Sequence, residues 1–178
     1  MNPRLGCFAL AEFLTRNEHG PHTVINPNRS VRGIFGYMPP EYMESGEATP
    51  SADIYSFGVV VLEVVSGQMA VDFKRPEVLL VKKVREFQTR QRPLVELADR
   101  RLDGEYNRRE LERLVNLGIA CTCSDPDSRP TMRQIVSTLD GNDKCLKEAQ
   151  KNEKMEEWQH RNGSSLSLIR RIQTLGIQ

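Results

Sequence analysis

The stretch "SADIYSFGVVVLEVVSGQMA", residues 51–70, decides how this sequence folds. Its apolar run is dense enough to be a membrane span, a central strand or a buried helix. Only nine uncharged residues separate Asp53 from Glu63, against the ~20 that a membrane helix needs, which excludes the span. Val59, Val60, Val61, Val64 and Val65 favour sheet. Yet the run is about three times the usual strand of ~5–6 residues, and it does not alternate. Its edges are those of a helix: Thr49 as N-cap, Pro50 at the first position and Gly67 at the end. Ile54, Tyr55, Phe57, Val59, Leu62 and Val65 spread over every face, which predicts a helix at the centre of a domain.

The rest of the composition agrees with a globular chain. At 178 residues it is long enough to bury a core, and 38% hydrophobic with 28% charged residues excludes a disordered polyelectrolyte. A net charge of +1 gives no reason to expect nucleic acid as a partner. No cationic, apolar leader with a cleavage site opens the sequence. Cys7, Cys121, Cys123 and Cys145 form no C-x-x-C pair, so reduced thiols in a cytoplasmic setting are expected. The glycosylation-like triplets at Asn28 and Asn162 are then chance matches.

Outward from the central helix, residues 1–36 have no helical period and are rich in Asn, Pro, Gly and Arg, which marks a functional or disordered loop. Residues 37–70 hold a Pro-Pro-Glu turn and the core helix. Between 76 and 139 three amphipathic stripes predict further helices: Leu80, Val81, Val84 and Phe87; Leu111, Leu114, Val115, Gly118 and Ile119; Met132, Ile135, Val136 and Leu139. "DPDSRP" turns a corner between the last two. Residues 141–178 read as a helical or disordered tail, with Leu168, Ile169, Ile172 and Leu175 on one helical face. Arg170 and Arg171 alone make it a weak membrane anchor.

Four segments, in order, resemble the C-terminal lobe of a plant receptor-like protein kinase, in particular its lectin-receptor branch. "GYMPPEY" (36–42) is similar to the G-Y-x-A-P-E-Y that closes the activation segment. "SADIYSFGVVVLEVVSG" (51–67) resembles the central helix of that lobe, "ELADRRLDGEY" (96–106) the linker after it, and "LGIACTCSDPDSRPTMRQIV" (117–136) the closing C-T-x-x-x-P-x-x-R-P-x-M stretch. The resemblance implies a mainly α, partial kinase C-lobe at 1–140, with the activation segment at 1–41, the helical lobe at 42–140 and a tail at 141–178. It also implies that Glu41 pairs with Arg129, anchoring the activation segment, that Asp53 supports the catalytic loop, and that Ser30, Thr23 and Thr15 are phosphorylation sites. A carboxylate early in a helix also has a plain explanation in the helix dipole.

The parts that move phosphate in that family need ATP, Mg²⁺, a Gly-rich loop, a Lys–Glu pair and a catalytic Asp. This sequence holds no G-x-G-x-x-G, no V-A-I-K and no H-R-D, and the "HRN" at 160–162 falls after the last kinase-like helix. Within "PRLGCFALAEF" (3–13), similar to R-L-G-D-F-G-L-A, the metal-holding Asp is Cys7 and the Gly is Ala9; Phe8 alone remains. Ile34 stands where the family has a threonine that contacts the catalytic Asp. Mg²⁺ wants oxygen ligands and a thiol is a poor substitute, so no cofactor and no metal site is expected. Cys121 with Cys123, His19 with His22, and Cys7 as a nucleophile lack the further ligands or partner that metal binding or covalent catalysis would require.

Two readings stay open. One is a non-catalytic C-lobe acting through a protein partner, another kinase or a receptor chain. The other is an ATP-dependent Ser/Thr kinase whose N-lobe and catalytic loop lie in a longer protein, at the cytoplasmic face of the plasma membrane if that protein is a receptor.

Overall fold

A computed structural model describes residues 31, 33–72, 75–144 and 146. The expected sites Cys7, Phe8, Ala9, Thr15, Thr23 and Ser30 lie outside the described residues, as does the apolar face at 168–175.

The described chain is mainly α. Helix α1 (Pro40–Ser45) is followed by the central helix α2 (Pro50–Ser66). A two-stranded antiparallel hairpin, β1 (Val71–Asp72) and β2 (Arg75–Leu79), leads into α3 (Leu80–Thr89). Short 3-10 turns at Leu94–Leu97 and Arg100–Leu102 carry the chain to α4 (Arg108–Cys121), and another at Pro126–Ser128 to α5 (Met132–Leu139). The hairpin was not expected, and the Pro-Pro-Glu "turn" is the start of a short helix, with Pro40 at its first position.

Local chemistry sets the ends of α2. The Thr49 side chain accepts from the Ala52 N–H at 3.1 Å, and Gly67 closes the helix in the left-handed region at φ 62°. The helix rests chiefly on α4, where glycines meet. A Cβ on Gly58 would lie 2.5 Å from the Cys121 Cβ and 3.0 Å from the Gly118 carbonyl; one on Gly118 would lie 2.6 Å from Leu62. Two bare backbones are therefore what lets these helices cross so closely.

The main core joins Tyr55, Val59, Leu62 and Val65 of α2 to Leu80, Val81 and Val84 of α3 and Leu111, Val115 and Ile119 of α4, with Leu97 beneath. A second cluster holds Leu117, Cys121, Ile135 and Leu146, packed against Ile54 and Phe57. Arg113 Nε also reaches Asp143 Oδ1 at 2.6 Å, beyond the end of α5.

Two expectations are corrected. Helix α2 is not buried all round, since Val60 is 44% and Val64 73% exposed. They lie one turn apart on the side away from α3 and α4. In α5 only Ile135 of the expected stripe packs: Met132, Val136 and Leu139 are exposed, and Thr138 is buried beside Ile135 instead. The Thr138 hydroxyl can turn inward because it donates to the Gln134 carbonyl at 2.8 Å. No described helix is long and apolar enough to cross a membrane.

Candidate functional site

The chain between Ile34 and Glu41 is pinned to the helical body at three points, and Arg129 makes the largest of them. Pro126–Ser128 forms a 3-10 turn because the Asp125 side chain accepts from the Asp127 N–H at 3.2 Å and from the Ser128 hydroxyl at 2.6 Å. That turn aims Arg129 inward, beneath α1. Its side chain is 0% exposed and all five N–H donors are used. Nη1 donates to Glu41 Oε1 at 2.5 Å and to the Ser51 carbonyl at 2.9 Å. Nη2 donates to Glu41 Oε2 at 2.8 Å and to the Ser124 carbonyl at 3.4 Å, and Nε to the Cys123 carbonyl at 2.8 Å. The guanidinium also lies 5.1 Å from the Tyr55 ring centroid. Only arginine offers this planar fork with spare donors on its flanks. The Ser51 hydroxyl adds a bond to the Pro126 carbonyl at 2.8 Å.

Burial pushes the Glu41 carboxyl up, but the Arg129 hydrogen bonds, a backbone hydrogen bond and the Arg129 charge outweigh it, leaving its pKa below the usual carboxylate value.

The second and third pins act on Tyr37. Its hydroxyl donates to Glu63 Oε2 at 2.7 Å, while Glu63 Oε1 accepts the Ala70 N–H at 2.6 Å. Burial, the hydrogen bond to Glu63 and the Glu63 charge raise the tyrosine pKa to about 12. The Ser56 hydroxyl donates to the Tyr37 carbonyl at 2.8 Å. These contacts were not anticipated, although one signal was present: Glu63 is the sole charge in the apolar run 54–66. A carboxylate in that setting needs a partner.

The structure thus brings Glu41 and Arg129 together and leaves the other described site residues apart. Asp53 is exposed in the first turn of α2 and has no side-chain partner among the described residues. Ile34 is 44% exposed. Cys121 is buried and Cys123 half-buried. Among the described residues no cluster of His, Cys, Asp or Glu could hold a metal ion.

A mainly α body of this order, with a Pro-Pro-Glu segment stapled to a buried arginine, is the architecture of a kinase C-lobe. The family model for the protein kinase domain matches residues 2–139, and the chain belongs to that family. It is 52% identical over 180 aligned positions to "Receptor like protein kinase S.2" of Arabidopsis thaliana, covering 99% of this chain and 21% of that protein. It is 40% identical over 144 positions to the "Putative L-type lectin-domain containing receptor kinase II.2" of the same plant, covering 80% of this chain and 20% of the relative. With "Serine/threonine-protein kinase BIK1", also from Arabidopsis thaliana, the figures are 42% over 111 positions, 61% and 28%. The chain therefore matches between about a fifth and somewhat over a quarter of the length of these curated relatives.

Proposed function

We propose that this chain is a non-catalytic kinase C-lobe that works by binding a protein partner, another kinase or a receptor chain, on the cytoplasmic side of the membrane. One contrast carries the reading. The anchoring of the segment's end is complete, with every donor of Arg129 engaged, while the chemical positions are altered. A thiol at Cys7 stands where Mg²⁺ would need a carboxylate, Ala9 stands two positions on where the family has a glycine, and Ile34 has no hydroxyl. The donor set does not fit Mg²⁺, so no phosphoryl-transfer step is assigned to this chain. No nucleic-acid partner is proposed, because the charge is nearly balanced.

The relatives' names favour a second reading, in which the chain is part of a longer, receptor-like, ATP-dependent Ser/Thr kinase. Calorimetric titration of the purified chain with Mg²⁺–ATP, beside a radiolabelled phosphate assay on a general protein substrate, tests the first. No saturable binding and no transfer are expected, and Cys7→Asp with Ala9→Gly should restore neither. Saturable Mg²⁺-dependent binding by the chain would overturn the non-catalytic reading. So would phosphate transfer by any longer product of the same locus that retains Cys7.

A further inference from the structure

A groove of about 350 Å³ opens where α1, α2 and α3 meet, beside the stapled segment. Pro40, Tyr55, Leu79 and Val81 form an apolar floor, and Lys82, Arg85, Glu86 and Arg90 of α3 and its cap form one wall. Tyr55 and Val81 are core residues, and Pro40 adjoins Glu41, which Arg129 holds, so the floor is set by packing already present. Arg85 is fixed, with Nη2 donating to the Thr122 carbonyl at 2.6 Å. Lys82 and Arg90 are exposed and have no side-chain partner among the described residues. They stand eight positions apart on the helix, about 12 Å along its axis, with Glu86 midway.

We propose that this groove binds a peptide segment of a protein partner that pairs one bulky apolar side chain with nearby Asp or Glu. The volume suits a Leu or Phe on the floor, and the wall presents three cations to one carboxylate. A carboxylate on either side of the apolar anchor reaches Lys82 or Arg90, while the gap over Glu86 is left neutral. The same alternation disfavours a nucleic-acid backbone, whose evenly spaced phosphates would meet Glu86. A concave floor likewise disfavours a membrane surface, onto which a convex apolar face lies flat.

This names the partner chemistry for the interaction role above and rests on that role; nucleotide titration and peptide binding fail independently. The probe is a set of fluorescein-labelled peptides with a central Leu or Phe flanked by Asp or Glu, by Asn or Gln, or by phosphoserine. Anisotropy is read on the full chain and on Lys82→Glu/Arg90→Glu, two exposed positions whose exchange leaves the melting curve as a control. Acidic peptides should bind, more weakly as salt rises, and lose on the order of tenfold in affinity when the cations are reversed. Binding also should fall when the central residue is Ala. Equal affinity for amide and acidic peptides, an unaffected charge-reversed variant, preference for phosphoserine, or no binding by any peptide would each overturn the proposal. Peptide binding by a chain that also binds Mg²⁺–ATP would leave the groove assignment standing and remove the non-catalytic role alone.

Discussion

Removing either partner of the Glu41–Arg129 pair should destabilise the chain far more than its position at the edge of the helical body implies. The Arg129 side chain is 0% exposed and Glu41 26%, so the two truncations are not equivalent. Arg129→Ala strands the carbonyls of Ser51, Cys123 and Ser124 and the Glu41 carboxylate at once. Breaking a buried pair costs about 3–5 kcal/mol, and water can reach only the Glu41 end. We expect about 4 kcal/mol for Arg129→Ala. Glu41→Ala leaves an enclosed cation that still has three carbonyls, for about 3 kcal/mol. The double variant should cost little more than Arg129→Ala alone, a coupling of up to about 3 kcal/mol. With a urea slope of about 2 kcal/mol/M, each single change moves the midpoint by about 1.5 M or more. Additive losses, or single losses below about 1 kcal/mol, would refute the reasoning.

The same pair has a pH signature. The folded Glu41 pKa lies below its ordinary value, so the stabilisation is fully present above the unfolded-state pKa. It is lost as pH falls through the lower, folded pKa. Wild type should lose stability more steeply on acidification than Glu41→Gln, which has no charge to lose at that site. Parallel acid profiles would show that the charge contributes nothing there.

Two further outcomes follow from the packing and from Tyr37. Gly58→Ala should lower the melting temperature, because its Cβ would meet backbone and Cβ atoms of α4 at 2.5–3.0 Å; overpacking of about 1–3 kcal/mol exceeds most of the ~1 kcal/mol of helix propensity gained. Tyr37, raised to about 12, stabilises fully below the ordinary tyrosine pKa of 10.0 and loses that contribution as pH rises toward 12. Tyr37→Phe should flatten the alkaline limb of the stability profile, and an unchanged limb would sever Tyr37 from Glu63.

Helix α2 was legible because its signals are local: a cap at Thr49, a Pro at the first turn, a Gly at the end. The stripes of α3 and α4 were legible through their period. What periodicity could not supply is which face meets a partner, and α5 shows why. Its apolar positions 132, 135, 136 and 139 were visible, but of these only Ile135 is buried, and Thr138 joins it. A hydroxyl that donates back to its own helix looks polar in sequence and behaves as filler in the core. Exposure of Val60 and Val64 was hidden for the same reason, since an all-apolar helix does not announce which side lacks a neighbour. The Tyr37–Glu63 bond spans 26 positions, and only the isolation of Glu63 among apolar residues hinted at it. The Glu41–Arg129 geometry was reachable through family resemblance, not through spacing, because 88 positions separate the two.

Positions that shape this fold and positions that would carry phosphoryl transfer answer to different forces. Arg129 is enforced by folding itself, since any other side chain leaves buried carbonyls and a carboxylate without donors. Ile34, at 44% exposure, is under no such demand; a surface substitution away from caps and buried networks usually changes stability by less than about 0.5 kcal/mol. The side chain at that position can therefore change at almost no thermodynamic cost while the architecture persists. The intact staple is thus evidence about stability, and it cannot by itself report chemistry. A denaturant melt reads the first and a nucleotide titration the second. A chain that melts cooperatively with a strong Glu41–Arg129 coupling, and still gives a flat Mg²⁺–ATP titration, would show the two separated in one molecule. A saturable titration would return the chain to the catalytic reading.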